Sequence, residues 1–383
     1  MARFIHTADW QIGMPFLFLN EEARFAMRNS RFDMIDSIAD YIAEQNGEID
    51  FVLVAGDLFD DPRIGRDTIE KTLTAVKRIN CPVYILVGNH EWRGTDCIYH
   101  SKTFLDLKPS NVVVLEPGVL EVAPDVEIVA APFEGKNNDS DLIAEQLTNL
   151  SPSASIRIVA GHGAVDEFMD IGRSDVIRYS EIKKAIDAGL VDYVALGDRH
   201  SALDVGGIGR VFYSGAPEPT DYDEDQNEVG LILDVTVKKN SLPIVKKQKI
   251  AKWKLDRLGK PSELYSIHSA SDLDELERFV ESMRKPRTTA LKIYMDSYLD
   301  VEQEIRRTEL FDRWNGISLA GFVVAEHSNE PQLNTEEVDT SDSLGLRGYL
   351  RGAYEELLDS AAEEESETVI KALAILSRLA KTQ

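Results

Sequence analysis

Residues Asp50–Asp60 read DFVLVAGDLFD. Phe51 to Ala55 form an apolar run with no polar alternation, the pattern of a strand covered on both faces. Gly56 and Asp57 then end the strand on a carboxylate, and Asp60 follows three residues later. The same design recurs along the chain. RFIHTAD (Arg3–Asp9) ends in Asp9, with Gln11 two residues on; PVYILVGN (Pro82–Asn89) ends in Asn89, followed by His90 and Glu91. IRIVAGH (Ile156–His162) ends in His162, and YVALGD (Tyr193–Asp198) in Asp198 with His200 beyond it. VEIVAAP (Val126–Pro132) and VFYSG (Val211–Gly215) complete the strands. Helical spacing of apolar residues fills Glu21–Gln45, and shorter helices are predicted over Arg66–Asn80 and Ser180–Ala188. Strands alternating with helices imply a layered α/β domain.

The chain has 383 residues, 43 % of them hydrophobic, enough for two or three domains with a sizeable core. No apolar stretch reaches the ~18 residues that span a bilayer. The N-terminus opens directly into strand-like sequence, so the expectation is a cytoplasmic protein with no signal segment and no membrane association. Cys81 and Cys97 are the only cysteines and read as reduced structural thiols. The formal net charge of −25 argues against a protein that coats nucleic acid unaided, because phosphate contacts need clustered Lys and Arg.

Composition divides the chain further. The α/β pattern fills 1–237. Lys238–Lys260 then holds nine Lys or Arg and one acid, Asp256. A helix from about Ser271 and a strand TTALKIYMD (Thr288–Asp296) follow, giving a small α+β capping module over 238–328. An acidic linker is expected over 329–343. Helices over Leu344–Leu358 and about Glu367–Ala380 end the chain, the second with Val369, Leu373, Leu376 and Leu379 on one side.

Any one Asp or His after a strand is ordinarily a turn or capping residue. The joint pattern is different: five strand ends carry carboxylate, amide or imidazole, and three of the seven histidines lie in them. Sites form at the carboxyl ends of strands in open α/β sheets. Carboxylates, carboxamides and imidazoles without thiolates suit divalent Mn, Mg, Fe or Zn. The set is too large for one tetrahedral zinc. It suits two ions ~3.5–4 Å apart, which clamp the attacking and leaving oxygens of a phosphoryl displacement.

The order and types of these residues resemble the calcineurin-like metallophosphoesterase superfamily, whose pattern is D-x-H, GDxxD, GNH[DE], GH and GHxH. HTAD, AGDLFD, GNHE and YSGAPEPTD (Tyr213–Asp221) are most similar to its SbcD-type branch of DNA double-strand-break repair exonuclease subunits. The resemblance implies a layered sheet sandwich flanked by helices, with a small α+β capping domain and C-terminal helices. It implies one ion on Asp9, Gln11, Asp57 and His200, and a second on Asp57, Asn89, His162 and Asp198. His90 would be the catalytic residue that touches the phosphate and protonates the leaving oxygen. Asp60 would orient a ligand; His6, inside the first strand, is expected to be structural or to touch a ligand from behind. Two positions depart from the pattern: Gln11 and Asp198 both stand where it has histidine. Both can still coordinate through oxygen, favouring Mn2+, or else Mg2+, over Zn2+; alternatively Gln11 only hydrogen-bonds a metal-bound water.

The resulting expectation is a metal-dependent DNA exonuclease and endonuclease working with an SMC-type ATPase, which the C-terminal helices would dock, and able to form a homodimer. A phosphoesterase on a small molecule, cyclic nucleotide or phosphoprotein is one alternative, and a weakened scaffold subunit another. Arg199, Lys246, Lys247, Lys249, Lys252 and Lys254 are candidate DNA contacts; a solvated strand face explains the lysines equally well. Trp10 is read as packing, and His100, His268 and His327 as structural or surface residues.

Overall fold

The computed structural model describes residues 1–94, 97–135, 140–166, 176–315, 317–329, 332–333, 346–364, 368–369, 372–373 and 375–376. The chain divides into two compact units, Met1–Phe16 with Arg24–Lys254, and Leu17–Ala23 with Leu255–Gln383.

The first unit runs β1 (Ala2–Thr7), α1 (Glu21–Glu44, counted here from Arg24), β2 (Phe51–Ala55), α2 (Arg66–Val76), β3 (Val83–Leu86), α3 (Lys102–Leu107) and β4 (Val112–Val114). It continues β5 (Gly118–Ala123), β6 (Val126–Ala131), α4 (Leu142–Thr148), β7 (Ile156–His162), α5 (Tyr179–Asp187) and β8 (Tyr193–Gly197). It ends with β9 (Leu203–Asp204), β10 (Val211–Tyr213), β11 (Leu231–Val237) and β12 (Ile244–Lys249). Two six-stranded sheets result, ordered β12-β11-β1-β2-β3-β4 and β5-β6-β7-β8-β10-β9. β1 to β4 are mutually parallel, as are β6, β7, β8 and β10.

The strands lack polar alternation because both their faces are covered. Phe4, Phe51, Leu53 and Leu86 of one sheet pack with Ile128, Ile158, Ala160 and Tyr193 of the other. The intervening residues Ile5, Val52, Val54 and Ile85 point the other way, into a core shared with Met34, Ile35, Ile38, Leu73 and Val76 of α1 and α2. On the second sheet, Val159 and Val194 join Ile143, Leu147 and Ile182 of α4 and α5. The expected sandwich of sheets flanked by helices is therefore the observed architecture.

The basic stretch departs from expectation. Composition changes at Lys238, but the sheet does not end there. β12 pairs antiparallel with β11, with Lys246 opposite Asp234 and Lys247 opposite Leu233, so 238–254 belong to the first unit. A charge run does not interrupt a hairpin, and lysines suit a sheet's outermost strand, where they discourage edge-to-edge pairing.

The second unit holds β13 (Lys254–Leu258), which begins at the junction, β14 (Tyr265–Ile267), α6 (Ala270–Glu281), β15 (Thr289–Ile293) and β16 (Met295–Leu299). α7 (Val301–Trp314), β17 (Gly321–Val324), β18 (Gln332–Leu333) and α8 (Tyr349–Glu364) follow. Its strands form two three-stranded sheets, β13-β15-β17 and β14-β16-β18. The single strand expected over Thr288–Asp296 is thus two strands in different sheets. The chain changes sheet at Tyr294, whose N–H donates to the Leu258 carbonyl while its own carbonyl accepts from Tyr265. α7, not expected from the sequence, starts with an Asp300–Gln303 capping box. Of the acidic stretch 329–343, residues 330–331 and 334–343 lie outside the described residues. So do 344–345 and parts of 367–380; the described residues of the latter are helical. Leu346, Tyr354 and Leu373 form a small apolar cluster with Leu357, Leu358, Val369 and Leu376. Among the described residues, no helix is long and apolar enough to cross a membrane.

Candidate metal centre

The parallel register of β1, β2 and β3 puts Asp9, Asp57 and Asn89 at one end of the first sheet, and that of β7 and β8 puts His162 and Asp198 at one end of the second. Hydrogen bonds between the sheets join the two ends. His162 Nδ1 donates to the Ala55 carbonyl (2.8 Å), and the Asp198 N–H donates to both carboxylate oxygens of Asp9 (3.1 and 3.2 Å). Within the first sheet, the Asp9 N–H donates to Gly56 and that of Gln11 to Asp57. Asp9, Gln11, Asp57 and Asp198 hold left-handed φ angles of 54°, 49°, 54° and 97°. Such backbone costs of order 1–2 kcal/mol per L-residue and persists because these cross-links over-determine it.

Two glycines before the ligand-type residues are required by crowding. A Cβ on Gly88 would lie 2.1 Å from Asp57 Oδ1, and one on Gly197 would lie 2.1 Å from the Ala55 carbonyl oxygen.

Donor atoms of Asp9, Asp57 and His162 lie within 4.8 Å of one another, and all three residues are buried. Asn89 Oδ1 is 2.9 Å from His162 Nε2. Asp57 Oδ1 is 3.4 Å and Asp198 Oδ1 3.9 Å from the same nitrogen. Gln11 is 3 % exposed and turns its Nε2 to Asp57 Oδ2 (3.1 Å). His200 stands outside the tight group; its Nδ1 faces Glu224 Oε1 (3.1 Å) and Thr220 Oγ1 (2.6 Å). That fixes the ring and leaves Nε2 as the nitrogen for a ligand, the arrangement of a carboxylate-supported metal histidine.

Electrostatics favour a cation here. Burial pushes the Asp9 carboxyl up to about 6; His200 and His162 draw it down, while Asp57 and Asp198 add repulsion. Burial alone would lower His162, but Asp57, Asp9 and Asp198 hold it up at about 10. For His200, burial is likewise outweighed, by Glu224 and Asp9, to about 9. The field that raises the buried His162 and the partly exposed His200 is one that attracts a divalent ion. The donor set therefore fits divalent metal: buried hard oxygens, imidazoles with Nδ1 already engaged, and no thiolate.

His90 sits at the mouth. Its side chain is 43 % exposed, its N–H donates to Asp57 Oδ1 (3.1 Å), and its Nδ1 donates to the Asp60 carbonyl (2.8 Å). Asp60 thus contacts His90, chiefly through its backbone oxygen, while its carboxylate lies 3.7 Å from Nδ1. His6 touches none of the ligand-type residues in the contacts observed. Burial lowers it to about 3, so it is neutral, accepting from Tyr193 Oη and donating to the Leu196 carbonyl; it bridges the two sheets. Trp10 is buried and donates to Thr7. Arg199 is exposed beside Asp198. Three lysines of the basic strip have acceptors on the chain: Lys247 pairs with Glu228, Lys249 donates to the Val229 carbonyl, and Lys252 lies 3.7 Å from Asp33. Lys246 and Lys254 are exposed.

Three supporting groups escape a reading of the sequence. Glu91 is fully buried and accepts from the N–H groups of Leu58 and Phe59 (3.0 and 2.7 Å), clamping the turn after Asp57. Thr220 and Glu224 hold His200 from the segment after YSGAPEP. Arg31 donates to the carbonyls of Trp10, Glu218 and Pro219, tying the Asp9 loop to that segment. A signal for Arg31 did exist: a cation at helical spacing from Met27, Met34, Ile35 and Ile38, on the apolar face of α1.

Comparison with known proteins bears on this arrangement. The family model for calcineurin-like phosphoesterases matches residues 2–202. The D component of the nuclease SbcCD from Escherichia coli is 23 % identical over 346 residues, 79 % of this chain and 81 % of that protein. DNA double-strand break repair protein Mre11 of Haloferax volcanii is 32 % identical over 95 residues, 24 % of this chain and 20 % of that one. Among solved structures, TT1561 of Thermus thermophilus aligns with 65 % of this chain and 99 % of its own at 7 % identity and a TM-score of 0.40.

Proposed function

The chain belongs to the calcineurin-like phosphoesterase family, and on that premise we propose that it hydrolyses phosphodiester bonds in DNA with two divalent ions, Mn2+ or Mg2+. The observation that carries this reading is the convergence of Asp9, Asp57 and His162 within 4.8 Å beside a half-exposed His90. Similarity to a nuclease component and to a double-strand break repair protein supports DNA as the substrate.

Asp9, Asp57 and His200, with Gln11 adjoining, would hold one ion; Asp57, Asn89, His162 and Asp198 would hold the other. When bound, the ions would supply Lewis acidity at the phosphoryl group and a nucleophile at neutral pH. His90 supplies the proton. Its Nδ1–H is committed to the Asp60 carbonyl, so the proton delivered to the departing oxygen is the one that the imidazolium form carries on Nε2, leaving the neutral Nδ1–H tautomer behind. Asp60 therefore acts through His90. Arg199 and the lysines of 246–254 are the chain's candidate contacts to the DNA backbone, which makes binding fall steeply with salt. Linear and single-stranded DNA incubated with Mn2+, Mg2+ or Zn2+ tests the reading. Cleavage is expected with Mn2+ or Mg2+, falling about 10²–10⁴-fold in His90→Ala. Hydrolysis confined to a generic phosphodiester reporter would point to a smaller substrate.

The C-terminal helices are proposed as the docking segment for an SMC-type ATPase. Tyr349, Leu350 and Ile375 are exposed apolar residues of this segment, with Tyr349 88 % accessible. Deleting 344–383 is expected to abolish co-purification with the ATPase while leaving Mn2+ binding intact. Retained co-purification would refute the assignment.

A further inference from the structure

The two cation positions of the proposed centre are built unequally, and Gln11 is the reason. A carboxamide can present either an oxygen, which ligates, or an N–H, which donates. Here Gln11 presents Nε2 to Asp57 Oδ2 at 3.1 Å, inside a pocket where the residue is 3 % exposed. That contact occupies a lone pair of Asp57 and turns the positive end of the amide dipole toward the carboxylate, so the amide oxygen faces away from it. Rotating the amide to offer its oxygen would set that oxygen against the Asp57 carboxylate.

The consequence is a difference in donor count. On one side, Asn89 Oδ1, Asp57 Oδ1 and Asp198 Oδ1 lie 2.9, 3.4 and 3.9 Å from His162 Nε2. Three oxygens thus lie near one imidazole nitrogen, four protein groups in all. On the other side, with Gln11 turned to Asp57, only Asp9, His200 and Asp57 remain. Asp9 already accepts the Asp198 N–H on both oxygens, and His200 is held through Nδ1 by Glu224 and Thr220.

We infer that Gln11 is a positioning residue that hydrogen-bonds Asp57 and does not coordinate, so that the position beside Asn89, His162 and Asp198 holds a divalent ion tightly and the position beside Asp9 and His200 holds one weakly. This rests on the reading of the site as a two-ion centre. In such a centre the weaker ion exchanges freely and its occupancy follows the ambient concentration, whereas the tighter ion is resident.

Calorimetric titration of the metal-stripped full chain with Mn2+ alone tests it. Two classes of ion at least about 10-fold apart in affinity are expected, the span that supporting groups around a metal command. Gln11→Ala removes no ligand but frees Asp57, which serves both positions, so both classes should weaken together, by about 10-fold. Gln11→His adds a ligand and should tighten the weaker class by about 10-fold or more. His200→Ala should strike the weaker class alone, and Asn89→Ala the tighter. Two ions of equal affinity, or a loss in Gln11→Ala confined to the weaker class, would overturn the inference. DNA cleavage is scored separately. An inactive chain with two unequal Mn2+ affinities would retire the nuclease reading and keep this one; an active chain with two equal affinities would do the reverse.

Discussion

Replacing Asp57 by alanine is expected to eliminate tight Mn2+ binding and to lower kcat/KM for phosphodiester hydrolysis by about 10³-fold or more, some 4 kcal/mol of transition-state stabilisation. The size of the effect follows from position. Asp57 is one of three buried groups whose donor atoms lie within 4.8 Å of one another. It also accepts from the His90 backbone and the Gln11 amide, so one side chain serves both ion positions and the orientation of the proton donor. The variant has a second signature, visible without metal or substrate. His162 is held up at about 10 against burial mainly by Asp57, so its imidazole resonance should titrate at lower pH in Asp57→Ala. The sign for stability follows. A histidine whose folded value is raised contributes stability that is fully present below its unfolded value of about 6.5 and is lost as pH rises through about 10. That high-pH loss should shrink in the variant. A variant that binds two Mn2+ ions with wild-type affinity would remove Asp57 from the centre.

The strands and the chemistry at their tips are legible in sequence for one physical reason. Strands buried on both faces read as unbroken apolar runs, so a carboxylate or imidazole at the end of Phe51–Ala55 or Ile156–Ala160 stands out against them. The backbone at those tips is not legible. Asp9, Gln11, Asp57 and Asp198 adopt a conformation that glycine usually supplies, and nothing in the local sequence marks it; hydrogen bonds from distant strands impose it. The role of Gln11 is hidden likewise, because a carboxamide's choice between donating and ligating depends on Asp57, 46 residues away. The place of β12 was obscured by its charge: Ile244–Lys249 reads as a new basic module, whereas its backbone completes the first sheet. The division of Thr289–Leu299 between two sheets turns on the hydrogen bonds of Tyr294, which no periodicity encodes. Glu91 and Arg31 show the same limit. Each is a charged residue whose work is to satisfy main-chain groups brought near by tertiary folding.

Glu91 provides the second large effect. Its carboxylate accepts from two consecutive buried N–H groups, those of Leu58 and Phe59. These residues follow Asp57 directly, and the Leu58 carbonyl in turn accepts from Ile12, while Ile12 accepts from Asp60. One side chain thus holds the turn that carries Asp57 and, through it, the segment with Gln11 and the carbonyl that orients His90. Glu91→Ala leaves two buried donors unpaired at about 1–3 kcal/mol each, so a loss of about 2–6 kcal/mol in denaturant unfolding is expected. Mn2+ affinity should fall by about 10–100-fold, since the ligand carrier is no longer fixed. Glu91→Gln keeps the volume and one acceptor oxygen, and should forfeit roughly one of the two bonds, about 1–3 kcal/mol. The two variants separate further with pH. Burial, with a smaller contribution from Asp57, pushes Glu91 up to about 8. The folded protein therefore retains a proton that the unfolded chain releases above its ordinary value near 4.5. Wild-type stability declines with rising pH across that window; the glutamine variant cannot ionise there and escapes the decline, so its deficit should narrow from about pH 5 to about pH 8. A pH-independent deficit would mean that Glu91 is already ionised in the native turn, and wild-type stability in Glu91→Ala would mean that the turn needs no clamp.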